Sequence, residues 1–156
     1  MLKSAKRPLL AAALAAGLTS LSVGHALAQA SSPDQIVGVW EAEDGILKIE
    51  MFEAGGSYSA RMLYGKLLME ADGKTFKKDT KNPDPNLRGR SLEGIVFLTD
   101  LKWDPRDLRW EDGSWYSGAN GRSANARAAL LGEKMEVRVY MGTPALGRTI
   151  VLHRAR

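Results

Sequence analysis

In the run Ile46 to Glu53, apolar Leu47, Ile49 and Met51 alternate with charged Lys48 and Glu50. In Lys134 to Met141, the apolar Met135, Val137, Val139 and Met141 oppose Lys134, Glu136 and Arg138. A strand sends successive side chains to opposite faces, so each run predicts a strand with one buried and one wet face. Ser123 to Leu130 alternates too, with the small Ala124, Ala126 and Ala128 followed by Leu130 on its apolar face. Leu92 to Leu98 is apolar on both faces and predicts a strand covered on its outside. Turn signals recur between the runs: Asp44-Gly45, Gly55-Gly56, Asp72-Gly73, the segment Asn82 to Gly89, Asp104-Pro105, Asp112-Gly113, Asn120-Gly121, Gly132 and Gly142 to Pro144. Asp-Gly and Asn-Gly suit tight hairpins because both central residues accept positive φ. The pattern predicts about eight or nine strands and no helix after residue 30. The connection from roughly Gly65 to Ser91 has room for a short strand or helical turn, and a loop that long in a small domain is more often functional than mere linkage.

The fold class is therefore all-β, a single antiparallel up-and-down β-barrel of about eight strands. Closure removes the sheet edges that a small β protein otherwise has to protect. A barrel of this size is either filled by side chains or wide enough for one small ligand.

The first thirty residues read differently. Lys3, Lys6 and Arg7 precede an uncharged run from Pro8 to Val23, and Ala26-Leu27-Ala28 places small residues where a signal peptidase reads. This is the three-part pattern of a secretory signal peptide over residues 1–28, with cleavage after Ala28 or, alternatively, after Ala30. The apolar run is short and too interrupted by Gly17, Thr19, Ser20 and Ser22 for a membrane span. The expected product is one domain, residues 29–156, periplasmic or secreted and without a membrane span.

Charge changes meaning once that segment is set aside. The chain carries +4, but Lys3, Lys6 and Arg7 belong to the leader, which leaves +1. Residues 29–60 carry −5, residues 61–90 carry +4 and residues 91–156 carry +2. The basic middle has no interleaved aromatics, so nucleic-acid binding is not expected. The sequence has no cysteine, which excludes disulfides, thiolate metal sites and a Cys nucleophile.

Gly38-Val39-Trp40 opens the first strand, and Arg154 lies near the end of the last. This resembles the lipocalin and calycin arrangement, in which a first-strand Gly-x-Trp packs under an arginine from the final strand, a part that Arg148 would also suit. Indole and guanidinium stack favourably, so such a pair can close one end of a barrel. Lys81 to Arg90 (KNPDPNLRGR), Leu92-Glu93-Gly94 and Tyr140 to Thr149 (YMGTPALGRT) together resemble the DUF2147 family of small exported bacterial proteins, whose domain is of unknown function. The resemblance covers nearly all of residues 29–156 and implies an exported barrel of lipocalin-like shape. The positions read as structural are Gly38, Trp40 and Arg154 of the closing pair, with Arg148 as its alternative arginine, Asn82 and Asp84 of the turn, and Gly147. Family members commonly carry two cysteines around the second hairpin; Ala54 and Ser59 stand there here, so no disulfide role carries over. Tyr116 to Asn125 also departs from the family pattern.

Candidate chemistry is sparse. Arg88 and Arg90 would pair a carboxylate or phosphate at the barrel mouth, or else pin the loop, in which Asn82-Pro83 and Asp84-Pro85 are turn formers. Met51 and Met135 would line a cavity for an apolar tail, or else fill the core. Trp103, Trp110 and Trp115 cluster near one hairpin and would line a mouth or pack inside. With His153 alone after the leader, a catalytic zinc site or Ser-His-Asp triad has little support. No catalytic residue, metal site or cofactor is expected. The reading is a binding module for a small apolar or amphipathic ligand; the alternative is a structural or interaction protein of the bacterial envelope with a filled barrel.

Overall fold

The computed structural model describes residues 28–156. The expected signal peptide, apart from Ala28, lies outside the described residues. Eight strands follow one another: β1 (Gly38–Ala42), β2 (Leu47–Ala54), β3 (Ser57–Gly65), β4 (Val96–Asp104), β5 (Arg109–Ser117), β6 (Arg122–Leu131), β7 (Lys134–Tyr140) and β8 (Arg148–Arg154). Each pairs antiparallel with the next, and β8 returns to β1, so the sheet closes as an up-and-down barrel. Among the described residues the only helical elements are short 3₁₀ turns, at Pro33–Ile36, Lys66–Leu68, Pro85–Leu87 and Pro144–Leu146.

The two ends differ. One gathers the Pro33–Ile36 turn, the β2–β3, β4–β5 and β6–β7 hairpins and the chain end; it is called the closed end below. The other, the open end, gathers the β1–β2 hairpin, the connection 66–95, the β5–β6 turn and the β7–β8 loop.

At the closed end, Trp40 pairs in register with Arg154. The Arg154 guanidinium carbon lies 4.2 Å from the centroid of the Trp40 ring. Its nitrogens donate to the backbone carbonyls of Val37 and Gln35, and the Trp40 Nε1–H donates to the Ile36 carbonyl at 2.8 Å. The arginine of the motif is therefore Arg154; Arg148 opens the same strand at the opposite end of the barrel. Gly38 has φ +129°, and a Cβ there would collide with the Arg154 guanidinium. Only glycine supplies both that dihedral and that space. Residues 28–30 join this end: the Gly132 N–H donates to the Ala28 carbonyl at 2.7 Å, Gln29 bridges to Leu131, and Ala30 is buried.

The inward-facing residues of the alternating runs fill the barrel as expected. Ile49, Met51, Leu98, Leu101, Trp110, Met135, Val137 and Leu152 are fully buried. The small β6 face has a partner for its shape: Trp110 stands opposite Ala128, and Trp115 opposite Ala124. The space left by the alanines is taken by indoles, which is how a core reaches native density.

Three expectations need correction. Leu92 is not in a strand; β4 begins at Val96, after a turn in which Gly94 has φ +65°, and Val96 is exposed, so the strand's outer face is not covered there. Leu92 is still buried, held in the loop against Gly118, where a side chain would clash with it. Met141 falls beyond β7 and is exposed. Asp112-Gly113 is not a hairpin but a bulge within β5, where the register shifts between Trp110 and Gly113 and Asp112 has φ +62°. Bulges bend a strand and raise its twist, as barrel closure requires. Gly113 is needed there because a Cβ would lie 2.7 Å from Leu101 Cδ2.

Replacing the closing indole leaves a cavity and an unstacked guanidinium. Trp40→Ala is expected to cost about 3–5 kcal/mol in urea unfolding. Gly38→Ala is expected to cost about 1–3 kcal/mol, through strain. A loss under about 1 kcal/mol for Trp40→Ala would show that the pair does not close the barrel.

Candidate functional site

A cavity of about 750 Å³ opens at the open end. Its apolar wall comes from Leu47 on β2, Met62 on β3, Leu68 from the connection and Ile150 on β8. Phe97 and Trp115, packed edge-to-face at 4.8 Å, line it from β4 and β5. Both are buried, and both belong to the same apolar cluster as the barrel core. Glu43, Asp44, Lys66 and Arg148 are its charged lining. The site is an apolar cup with a mixed-charge border, which suits a small molecule that is mostly hydrocarbon with a polar end.

One side of the cup depends on the long connection, which a single buried carboxylate holds in place. Asp79 is fully buried. Its Oδ1 accepts from the Tyr116 hydroxyl at 2.5 Å. Its Oδ2 accepts from Asn82 Nδ2 at 2.7 Å and from Arg90, with Nε at 3.0 Å and Nη2 at 2.9 Å. The backbone follows the same tie: the Asp79 N–H donates to the Arg90 carbonyl, and the Leu92 N–H to the Lys77 carbonyl. Asn82 Oδ1 accepts from the Asp84 N–H, the Asp84 side chain caps Asn86, and Arg88 Nε donates to the Asn82 carbonyl at 2.8 Å. Lys81 Nζ reaches the Ala119 carbonyl in the β5–β6 turn. Gly121 faces the Lys81 carbonyl so closely that no side chain would fit between them.

The expected site residues are thus placed as follows. Arg88 and Arg90 bond within the Asp79 to Arg90 loop and are not among the residues lining the cup. Met51 and Met135 are fully buried in the core, below the cup; Met62 is the methionine at its wall. Trp115 lines the cup, whereas Trp110 is in the core, 4.7 Å from Trp103. Asn82 and Asp84 hold the loop turn. Gly147 lets the β7–β8 loop approach β7, since a Cβ there would lie 2.5 Å from the Val139 carbonyl oxygen. Tyr116 and Arg138 escape a reading of the sequence. Tyr116 binds Asp79 and lines the cup, and Arg138 ties down the β7–β8 loop through the Pro144 and Ala145 carbonyls and Thr149. Asp79 and Tyr116 are 37 residues apart, so no local motif announces them.

A second cavity, about 770 Å³, lies at the closed end beside Gln35, Trp40, Glu133, His153 and Arg154. Among the described residues, no group of three His, Cys, Asp or Glu is arranged to hold a metal ion. No helix among them is long and apolar enough to cross a membrane.

Burial alone would raise the Asp79 carboxyl, but the hydrogen bonds from Tyr116, Asn82 and Arg90, with the Arg90 charge, together hold it below the usual carboxylate range. Such a group stabilises the fold fully above its unfolded value, roughly 3.9, and less as pH falls toward its folded value. Asp79→Asn is expected to cost about 1–3 kcal/mol at neutral pH and to flatten the acid limb of urea stability below about pH 4. Tyr116 is pushed up to about 12 by burial and by its bond to Asp79. Tyr58 is pushed up to about 12 by burial and by its bond to Asp34. The stability these phenols provide is complete below pH 10 and is lost as pH rises toward 12. Ultraviolet titration is expected to show two of the four tyrosines ionising near pH 12, one disappearing in Tyr116→Phe and the other in Tyr58→Phe. Ionisation of Tyr116 near pH 10 would contradict the buried tie.

No curated protein matches the chain. Among solved structures, protein HP1028 from Helicobacter pylori, described as belonging to the lipocalin family, is similar to it. The two are 27% identical with a TM-score of 0.66, over 78% of this chain and 83% of that one. The family model for DUF2147, described as an uncharacterized protein conserved in bacteria, matches residues 38–154. That span runs from the glycine under the Arg154 guanidinium to Arg154 itself, so the whole barrel is matched and the chain belongs to the DUF2147 family.

Proposed function

We propose that this protein is an exported carrier that binds a single small apolar or amphipathic ligand in the open-end cup. The observation that carries the reading is the cup itself. Its volume of about 750 Å³ lies within the range of small-molecule sites, roughly 300–1,000 Å³, and its wall is apolar. A hydrocarbon tail would lie against Met62, Leu68, Phe97, Trp115 and Ile150. An acidic head would remain at the border, near Lys66 and Arg148. Met62 suits varied tails, because an unbranched thioether adapts its shape. Arg88 and Arg90 contribute indirectly, by fixing the loop that supports the border. The similarity to a protein described as a lipocalin supports a binding role over catalysis. The segment 1–28, with its basic start, apolar run and Ala-Leu-Ala end, supports export to the periplasm or beyond.

Displacement of a dansyl-labelled fatty acid tests the reading, with native mass spectrometry of the protein purified from its own cells. A bound small molecule and saturable probe binding are expected. Ile150→Asp is expected to weaken the probe by about tenfold or more, since it puts a charge where an apolar tail is buried. Val96→Asp, on the outer surface, is expected to leave it unchanged. No probe binding at high micromolar concentration, with no co-purifying molecule, would favour a barrel that acts through an outer face in the envelope.

A further inference from the structure

The most exposed large hydrophobic side chains among the described residues are Leu146 at 83%, Leu67 at 74% and Met141 at 71%. All three stand at the open end. Leu67 is in the connection after β3, and Met141 and Leu146 are in the β7–β8 loop. Ile46, 46% exposed, joins them from the β1–β2 hairpin. The backbones that carry these tips are tied down. Arg138 binds the carbonyls of Pro144 and Ala145. The Lys66 N–H donates to the Ile46 carbonyl at 2.8 Å, and Lys77 Nζ to the Leu67 carbonyl at 3.2 Å.

Cations stand beside the tips. Lys66 precedes Leu67, and Arg148 follows Leu146 by two positions. Neither has an ion-pair partner among the described residues. The connection adds Lys74, Lys77, Lys78 and Lys81; over residues 66–95 it holds seven basic against five acidic residues. Glu43 and Asp44 share the border, with Asp44 accepting from the Ile46 N–H.

We propose that the open end docks on an anionic lipid bilayer, with Leu67, Met141 and Leu146 entering the head-group layer and Lys66 and Arg148 meeting lipid phosphates. Separated apolar points around an opening suit a soft surface, which fills the gaps between them. Apolar insertion and attraction to anionic lipid add to one another, as for other interfacial anchors. The cup opens within the same ring, with Ile46, Leu67 and Arg148 among its lining. A docked barrel would thus face its cup to the bilayer, and a lipid-like ligand would enter without crossing water. Only that last step rests on the carrier reading; docking stands on the rim alone.

Vesicle flotation of the purified protein tests it. Binding is expected to vesicles of phosphatidylethanolamine with phosphatidylglycerol. Binding to phosphatidylcholine vesicles should be weaker, by about fivefold for each cation engaged. The variant M141E/L146E, changed at two positions outside the cup, is expected to lose about tenfold or more in partitioning while its urea midpoint and dansyl-probe affinity stay unchanged. Wild type and variant carry the same N-terminal segment, so the difference reports the rim. Equal partitioning of the two proteins, or no preference for the anionic vesicles, overturns the proposal. So does a wild-type dimer that M141E/L146E converts to monomer without any vesicle binding, because the rim is then an interface between copies. Vesicle binding by a protein that takes up no probe supports docking and removes only the carrier reading.

Discussion

The barrel depends on one contact between the start and the end of its sheet. An eight-strand ribbon has two free edges until β8 meets β1, and at that seam Arg154 stacks on Trp40. The seam is short: three residue pairs join β1 to β8, against eight between β2 and β3. Few ladder bonds are available to hold it, so side-chain stacking and the guanidinium bonds to Val37 and Gln35 carry more of the closure. Gly38 is the condition for this geometry, because any side chain would displace the guanidinium. With no cysteine in the chain, nothing covalent assists.

From that closure the asymmetry of the molecule follows. Inside the end sealed by Trp40 and Arg154 the barrel is filled by buried side chains, and the second cavity lies outside that filling, beside the seal. The other end lacks such a seal and is shaped by loops instead. Those loops are held by polar contacts: Asp79 with Tyr116, Asn82 and Arg90, and Arg138 with the β7–β8 loop. A buried carboxylate with three side-chain donors costs desolvation, and the hydrogen bonds it receives offset that cost. The result is a mixed-charge border around an apolar cup, an arrangement that a solidly packed barrel would not offer.

Periodicity made the strands legible. The runs 46–53, 123–130 and 134–141 match β2, β6 and β7 to within about a residue at most ends, because a half-buried strand must alternate. The closing pair was legible as well, since Gly-x-Trp and a terminal arginine have a direct physical reason to meet. Two errors share one cause: local signals do not report which turns the barrel will use. Asp112-Gly113 is chemically a good hairpin and became a bulge, because β5 must bend there. Leu92 is as apolar as a strand residue and fills the core from a loop. The cup was harder still to foresee. Arg88 and Arg90 look like ligand contacts until the buried Asp79 is placed, and Asp79, in the long connection, meets Tyr116 from β5. Such long-range polar pairing leaves no trace in spacing.

The seam also sets the order in which the chain can finish folding. The Arg154 bond to the Val37 carbonyl joins residues 117 positions apart. The β2–β3 and β6–β7 hairpins can form from neighbouring sequence, but the barrel cannot close until its last strand is available. Folds completed by distant contacts form slowly, because much of the loop entropy is lost before those contacts are made. A chain still being synthesised therefore remains an open ribbon with its tryptophan uncovered. That unfinished form is the one that the proposed export through a membrane would require, and the pairing of Arg154 with Trp40 is what brings it to an end.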